Sequence, residues 1–299
     1  MDCSLGGEFL FLRRMKNQII LLFTFSMTLL IGMGCAKELT KYNQWSRKGT
    51  LAEKDSAAFF FFERGDYEKA SFLFEELQGA YRGDTRARTI LYHYAYAKYH
   101  TGLYVVAAYY FENYTQLYPN DEKAAECLFM VAYCYFLESA PHYLDQEFTL
   151  KGIQQLQLFI NTYPRNEKVS EANDLMRELR ERLARKAFEN AKQYYNLGDY
   201  NYTNYRAAVT ALEVMIQEYP DSRYREEAQF LRFKSAAALA EVSIGRRKKN
   251  RYLDALDIYQ EFVDRYPASV YLKEAEDIFV KAKKNLGKIL AEEEEESGS

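Results

Sequence analysis

The chain has 299 residues, 48% of them hydrophobic and 28% charged, with a formal charge of -3 and a pI near 5.9. That composition supplies ample material for a core. It argues against a general nucleic-acid binder, which needs a basic surface to displace counterions from phosphates.

The first notable segment is the apolar run Gln18 to Met33, preceded by Arg13, Arg14 and Lys16 and ended by Gly34-Cys35. A basic start, a short apolar stretch and small residues at its end predict a secretory signal peptide over 1–34, with Met15 as an alternative initiator. The run is shorter than the roughly 20 apolar residues that a transmembrane helix needs. Small residues before Cys35 resemble the lipobox of bacterial lipoproteins, in which the cysteine is acylated, although Gly32 stands where leucine is usual. Ordinary cleavage beside an incidental cysteine is the alternative. Ala36 follows where many such proteins carry an inner-membrane-retaining aspartate, so outer-membrane delivery is expected. Residues 35–50 then read as a lipidated tether holding Trp45, the chain's only tryptophan.

From Leu51 to about Leu290 a helical pattern recurs. Four of the five prolines follow a tyrosine, at Tyr118-Pro119, Tyr163-Pro164, Tyr219-Pro220 and Tyr266-Pro267. Twelve residues before each proline the residue is small (Ala107, Gly152, Ala208, Ala255), and eight and five before it the residues are large and apolar. Those offsets trace one helical face. Proline then stops the helix. The unit is a helical hairpin in an array, and the expected fold is an all-α, tetratricopeptide-like solenoid over 51–290, of about five repeats plus a C-terminal capping helix.

The repeats are expected at Leu51 to Tyr81, Thr85 to Pro119, Asp121 to Pro164, Lys168 to Pro220 and Ser222 to Pro267, with the cap from Val270 to Leu290. The third carries an insertion at Ser139 to Thr149, the fourth an extended corner at Gly198 to Ala208, and the fifth a basic corner at Gly245 to Arg251. Residues 291–299, rich in glutamate, read as a disordered acidic tail. Cys127 and Cys134 lie seven apart on one predicted helix, about 10 Å from each other at 1.5 Å per residue, too far for a disulfide. Both read as buried small apolar residues.

No phosphate-binding glycine loop and no catalytic signature occurs, and His93, His100 and His142 stand apart from metal-ligand spacing. An enzyme, a metal site and a cofactor are therefore not expected. A helical array is suited to binding.

Taken together, the lipobox-like start, the hairpins with Tyr-Pro ends, the segment Leu144 to Pro164 with Asp145, Gln146 and Thr149, and the helix Arg177 to Tyr200 with Leu183-Ala184, Tyr194-Tyr195 and Gly198-x-Tyr200 resemble the BamD family. The resemblance covers roughly Cys35 to Pro267. It implies a lipoprotein scaffold, lipid-anchored through Cys35 on the periplasmic face of the outer membrane, within the β-barrel assembly machinery. The implied partners are unfolded outer-membrane proteins and the POTRA region of the barrel subunit BamA, with no nucleic acid and no small-molecule substrate. Another periplasmic tetratricopeptide lipoprotein, organising envelope or division, is the alternative, and a carbohydrate-capturing lipoprotein a weaker third.

An extended chain ending in an aromatic residue wants an aromatic-walled groove. Tyr92, Tyr96 and Tyr99, at helical spacing, and Phe61 are candidates for it, the competing reading being inter-repeat core. The run Phe59 to Phe62 points all round a helix, so at least one ring should meet a neighbouring repeat or a partner. For partner contacts the candidates are the long corners, at Asp145, Gln146 and Tyr200, and the cations Arg246, Arg247, Lys248, Lys249 and Arg251, which otherwise read as a solvated loop. Members of the family often place an arginine nine residues before Pro220. Here that position is Ala211, with Arg206 the nearest substitute.

Overall fold

The computed structural model describes residues 42–298, so the predicted signal peptide, Cys35 and most of the tether lie outside the described residues. Within them are a helical stretch at 42–48 and eleven longer helices, with no strand. The first four are α1 (Leu51–Glu63), α2 (Tyr67–Ala80), α3 (Arg86–His100) and α4 (Tyr104–Leu117). There follow α5 (Ala124–Glu138), α6 (Glu147–Thr162), α7 (Val169–Asn196) and α8 (Thr203–Glu218). The last three are α9 (Arg225–Glu241), α10 (Arg246–Arg265) and α11 (Leu272–Gly298). The chain forms two compact units, one ending at Cys127 and the other beginning at Leu128. In the first, α1 to α4 pack each on the next; in the second, α6 to α11 do the same, and α9 also touches α7 and α11.

One junction, repeated, stops and restarts the helices. The tyrosine before each proline is a helix C-cap, with φ between -131° and -124° and ψ between 55° and 65°, the extended side of backbone space that a following proline imposes. Its N–H still donates to the carbonyl four residues back, at Tyr114, Phe159, Met215 and Phe262. Three residues on, the N–H of Asp121, Asn166, Ser222 or Ser269 donates to the tyrosine's own carbonyl at 3.0–3.2 Å. The side chain of that same residue accepts the N–H two positions further along, at 2.9–3.2 Å. The first hairpin lacks the proline but builds the same turn at Tyr81, with Asp84 accepting from the Arg86 N–H at 2.7 Å. The polar residue three after each tyrosine gives the freed backbone groups their partners.

The helix face read from the sequence is buried. Ala107, Ala208 and Ala255 are fully enclosed. A Cβ added at Gly152 would lie 2.8 Å from a Leu179 methyl, which is why α6 needs a small residue there. Phe111, Tyr114, Leu156, Phe159, Leu212, Met215 and Phe262 are at most 1% exposed. Tyr259 is half-buried and stacks on Phe279 at 4.2 Å, so the last hairpin meets its cap through an aromatic pair. Cys127 and Cys134 are free and buried, and burial pushes the Cys134 thiol up to about 12.

Two boundaries differ from expectation. The basic stretch at 246–251 is helical and opens α10. The last helix runs on to Gly298, through the glutamate run, which has good helix propensity and reaches Lys249 through Glu293 at 2.5 Å.

In the first unit His93 sits between Phe59 and Phe62, with ring centroids 4.8 and 5.1 Å away, and its Nδ1–H donates to the Thr89 carbonyl at 2.7 Å. Burial, followed by the nearby Lys123 and Arg86 charges, holds its pKa below the usual imidazole value despite the Thr89 bond. The folded ring thus stays neutral where the unfolded one, at about 6.5, takes a proton. Its contribution is complete above that pH and is lost as pH falls below it. Urea unfolding followed between about pH 7 and 5 should show this slope, and His93→Gln should flatten it.

Candidate functional site

The α5–α6 corner is built around Gln146. Its side chain is buried, and its amide donates to the carbonyls of Pro141 at 2.9 Å and Leu144 at 3.1 Å, while its Oε1 accepts from Thr149 Oγ1 at 2.8 Å. Thr149 in turn meets Ser139 Oγ at 2.6 Å, so the two ends of the insertion are tied together. From α7, Arg182 donates to the Ser139 carbonyl at 3.1 Å and Lys186 to that of Leu144 at 2.6 Å. The Gln146 side chain, expected among the partner contacts, is turned inward and satisfies the corner's backbone from within. Asp145 is exposed and accepts the Glu147 N–H at 2.8 Å. What the corner offers to solvent is Tyr143, 72% exposed, and Leu144, 50% exposed.

The α7–α8 corner is held by a ring over a glycine. Any Cβ at Gly198 would overlap the Tyr205 ring, at 2.1–2.4 Å from its carbons. The Tyr205 hydroxyl donates to Asp199 at 2.5 Å, and burial with that carboxylate raises the phenol to about 12. With Tyr205 turned inward, Tyr200 projects at 89% exposure and Tyr202 at 56%. The 28-residue α7 links the two corners. Leu197, 42% exposed, lies eleven residues from Lys186, about three turns and so on the same face, roughly 16 Å along the axis. The second unit thus carries Tyr143, Leu144, Leu197, Tyr200 and Tyr202 as an exposed apolar and aromatic set on α7 and its two corners.

The arginine substitute does not take over the Ala211 position. Ala211 packs against the core cluster of Ala184 and Phe188. Arg206, five residues away on α8, is exposed and falls about 140° round the helix. Of the basic stretch, Arg247 is exposed and Lys248 half-buried, while Lys249 pairs with Glu293 and the Arg251 guanidinium donates to Ser243 Oγ. Arg246 opens the helix. This is the first turn and a half of α10, not a solvated loop, and part of its charge is already engaged.

In the first unit Phe61 is only 1% exposed and belongs to the core, so its ring lines no open groove. Tyr92 and Tyr96 are half-buried and both donate to Glu126 Oε1, Tyr92 at 3.0 Å. Burial first, then this carboxylate, drives both phenol pKa values up. Lys123 lies 4.0 Å over the Tyr92 ring, and Tyr96 meets Phe111 at 4.9 Å. Two of the three stripe hydroxyls thus tie α3 to the start of α5. Tyr99, half-buried, touches His100 and Tyr104 at 5.1 and 5.7 Å.

Sequence reading missed Tyr143, Leu144 and Tyr202. The signal was present, because apolar residues inside an insertion have no helical stripe to join. Gln146→Ala should destabilise the protein by about 1–3 kcal/mol through the buried hydrogen bonds it removes from the corner. Gly198→Ala should cost a similar ~1–3 kcal/mol through overpacking against Tyr205, whereas Asp145→Asn should stay within about 0.5 kcal/mol. Urea unfolding of the three variants checks the ranking.

Among the described residues no helix is long and apolar enough to cross a membrane, and no group of three or more His, Cys, Asp or Glu side chains is placed to hold a metal ion. No curated protein sequence matches the chain. Among solved structures it is similar to the TPR2AB domain of yeast Sti1 in its pHSP90 complex, with 15% identity over 78% of this chain and 98% of that one and a TM-score of 0.36. That likeness carries no argument. A family model described as YfiO, outer membrane lipoprotein, matches residues 55–202 and again 199–297, nearly the whole helical array. The chain belongs to the YfiO, or BamD, family of outer membrane lipoproteins.

Proposed function

We propose that the protein is a non-enzymatic scaffold of the β-barrel assembly machinery, anchored through acylated Cys35 on the periplasmic face of the outer membrane. It binds unfolded outer-membrane proteins and the POTRA region of a BamA-type barrel subunit, and so brings substrate to the insertion site. Family membership across 55–297 carries this reading. The surface chemistry supports it. Exposed tyrosines and leucines held on tightly bonded corners are pre-organised anchors, and aromatic anchors dominate protein–protein binding energy. We assign the POTRA contact to the α7 surface, with Tyr200 and Tyr143 as its anchors and Asp145 at its edge. Arg206, Arg247 and Lys248 supply charge that steers the encounter. Substrate segments are assigned to the first unit, beside the half-buried edges of Tyr92, Tyr96 and Tyr99.

Affinity purification from detergent-extracted outer membranes, with mass spectrometry of the N-terminus and of co-purifying proteins, tests this. A diacylated Cys35 and a POTRA-containing barrel protein are expected. The pair Tyr143→Ser and Tyr200→Ser should cut recovery of that partner on the order of tenfold or more, as loss of two aromatic anchors does. An unmodified N-terminus with no barrel partner would leave an envelope adaptor of another kind.

A further inference from the structure

We propose that the first hairpin carries a membrane-contacting surface, in which the rings of Phe60 and Phe72, flanked by Trp45 and Tyr42, rest at the headgroup boundary of the bilayer that holds the acyl anchor. The inference rests on the Cys35 anchor just proposed. It starts from four consecutive phenylalanines on α1, which cannot share one helix face. Phe61 fills the core; Phe59 and Phe62 turn to Phe74 and His93; Phe60 is left outward at 42% exposure. From α2, Phe72 joins it at 49%.

The helical stretch at 42–48 lies across these rings. Tyr42 meets Phe61 at 5.5 Å and Phe72 at 6.4 Å, and Trp45 meets Phe60 at 6.1 Å and Phe61 at 5.9 Å. It seals Phe61 but leaves the two outer rings in water. Cations flank the patch: the Arg64 guanidinium lies 5.1 Å from the Phe60 centroid, Lys69 Nζ lies 5.2 Å from that of Phe61, and Arg47 and Lys48 are exposed at the end of the stretch. Aromatic rings bracketed by long basic side chains suit a bilayer interface, where the rings leave water and the charges meet lipid phosphates.

Chain length supplies the proximity. From Cys35 to Tyr42 there are seven steps, which span at most about 25 Å fully extended. An anchored patch on so short a leash faces lipid at a high effective concentration, so even weak partitioning is realised. A protein partner has no such enforced nearness to these rings.

Trp45, the only tryptophan, is a built-in probe. The acylated full chain should be incorporated into phosphatidylethanolamine–phosphatidylglycerol vesicles with and without acyl-chain-brominated lipid. Trp45 emission should shift to the blue and be quenched by the brominated lipid. In a Cys35→Ser background, Phe60→Ser with Phe72→Ser should weaken vesicle partitioning on the order of tenfold, the scale set by lost apolar burial of two half-exposed rings. Co-flotation with no quenching would overturn the contact surface while leaving the anchor intact. Quenching that the double variant does not reduce, or a double variant that loses only peptide binding, would also overturn it. Failure of the acylated chain to float would overturn the anchor, and the proposal with it.

Discussion

The structure depends on the fact that a residue ahead of proline is driven out of the helical region. Each Tyr-Pro ends a helix at a defined residue while its tyrosine still donates to the last turn, and the polar residue three positions on restarts the chain. Because the same bonds recur, the exit geometry recurs, and within each unit successive helices bury their stripes against one another. Stability is then a sum over neighbouring helices, so a corner can be lengthened without disturbing the stripes on either side. The α5–α6 and α7–α8 corners show this. Their extra residues are bonded internally, through Gln146 and through Tyr205 over Gly198, and their outward side chains stand exposed.

How much of this was legible in the sequence depended on whether a residue's role was periodic. The hairpins, their ends and the small residue twelve before each proline follow from local spacing, and burial matches them except at Tyr259, which the cap leaves half-covered. The basic stretch at 246–251 looked like a loop because like charges repel and a helix N-terminus disfavours cations. Continuity with the stripe of Tyr252, Ala255 and Ile258, together with the Lys249–Glu293 pair, makes it helix. Gln146 looked like a contact residue because a polar side chain in an insertion is usually outside; its amide instead turns inward onto the corner's own carbonyls, one of which Lys186 of α7 also reaches. Phe61 could not be told from Phe60 by type; the packing of α1 on α2, closed over by 42–48, decides which ring is sealed.

The same division runs through the functional reading. Family membership fixes an outer membrane lipoprotein, and the geometry adds exposed aromatic side chains on bonded corners in the second unit and outward phenylalanines on the first hairpin, the surfaces to which partner and membrane contacts are proposed. The tyrosines on α3 are half-buried, and Tyr92 and Tyr96 share Glu126. The chain's contribution is position, held by backbone bonds and close packing.

Site-specific photocrosslinking in intact outer membranes tests the scaffold account most directly, with the crosslinker placed at Tyr200, at Tyr143 and, as a buried control, at Phe262. The account predicts an adduct with a POTRA-bearing barrel protein from the two exposed positions and none from Phe262. Anchored protein that gives no such adduct from either corner would contradict it.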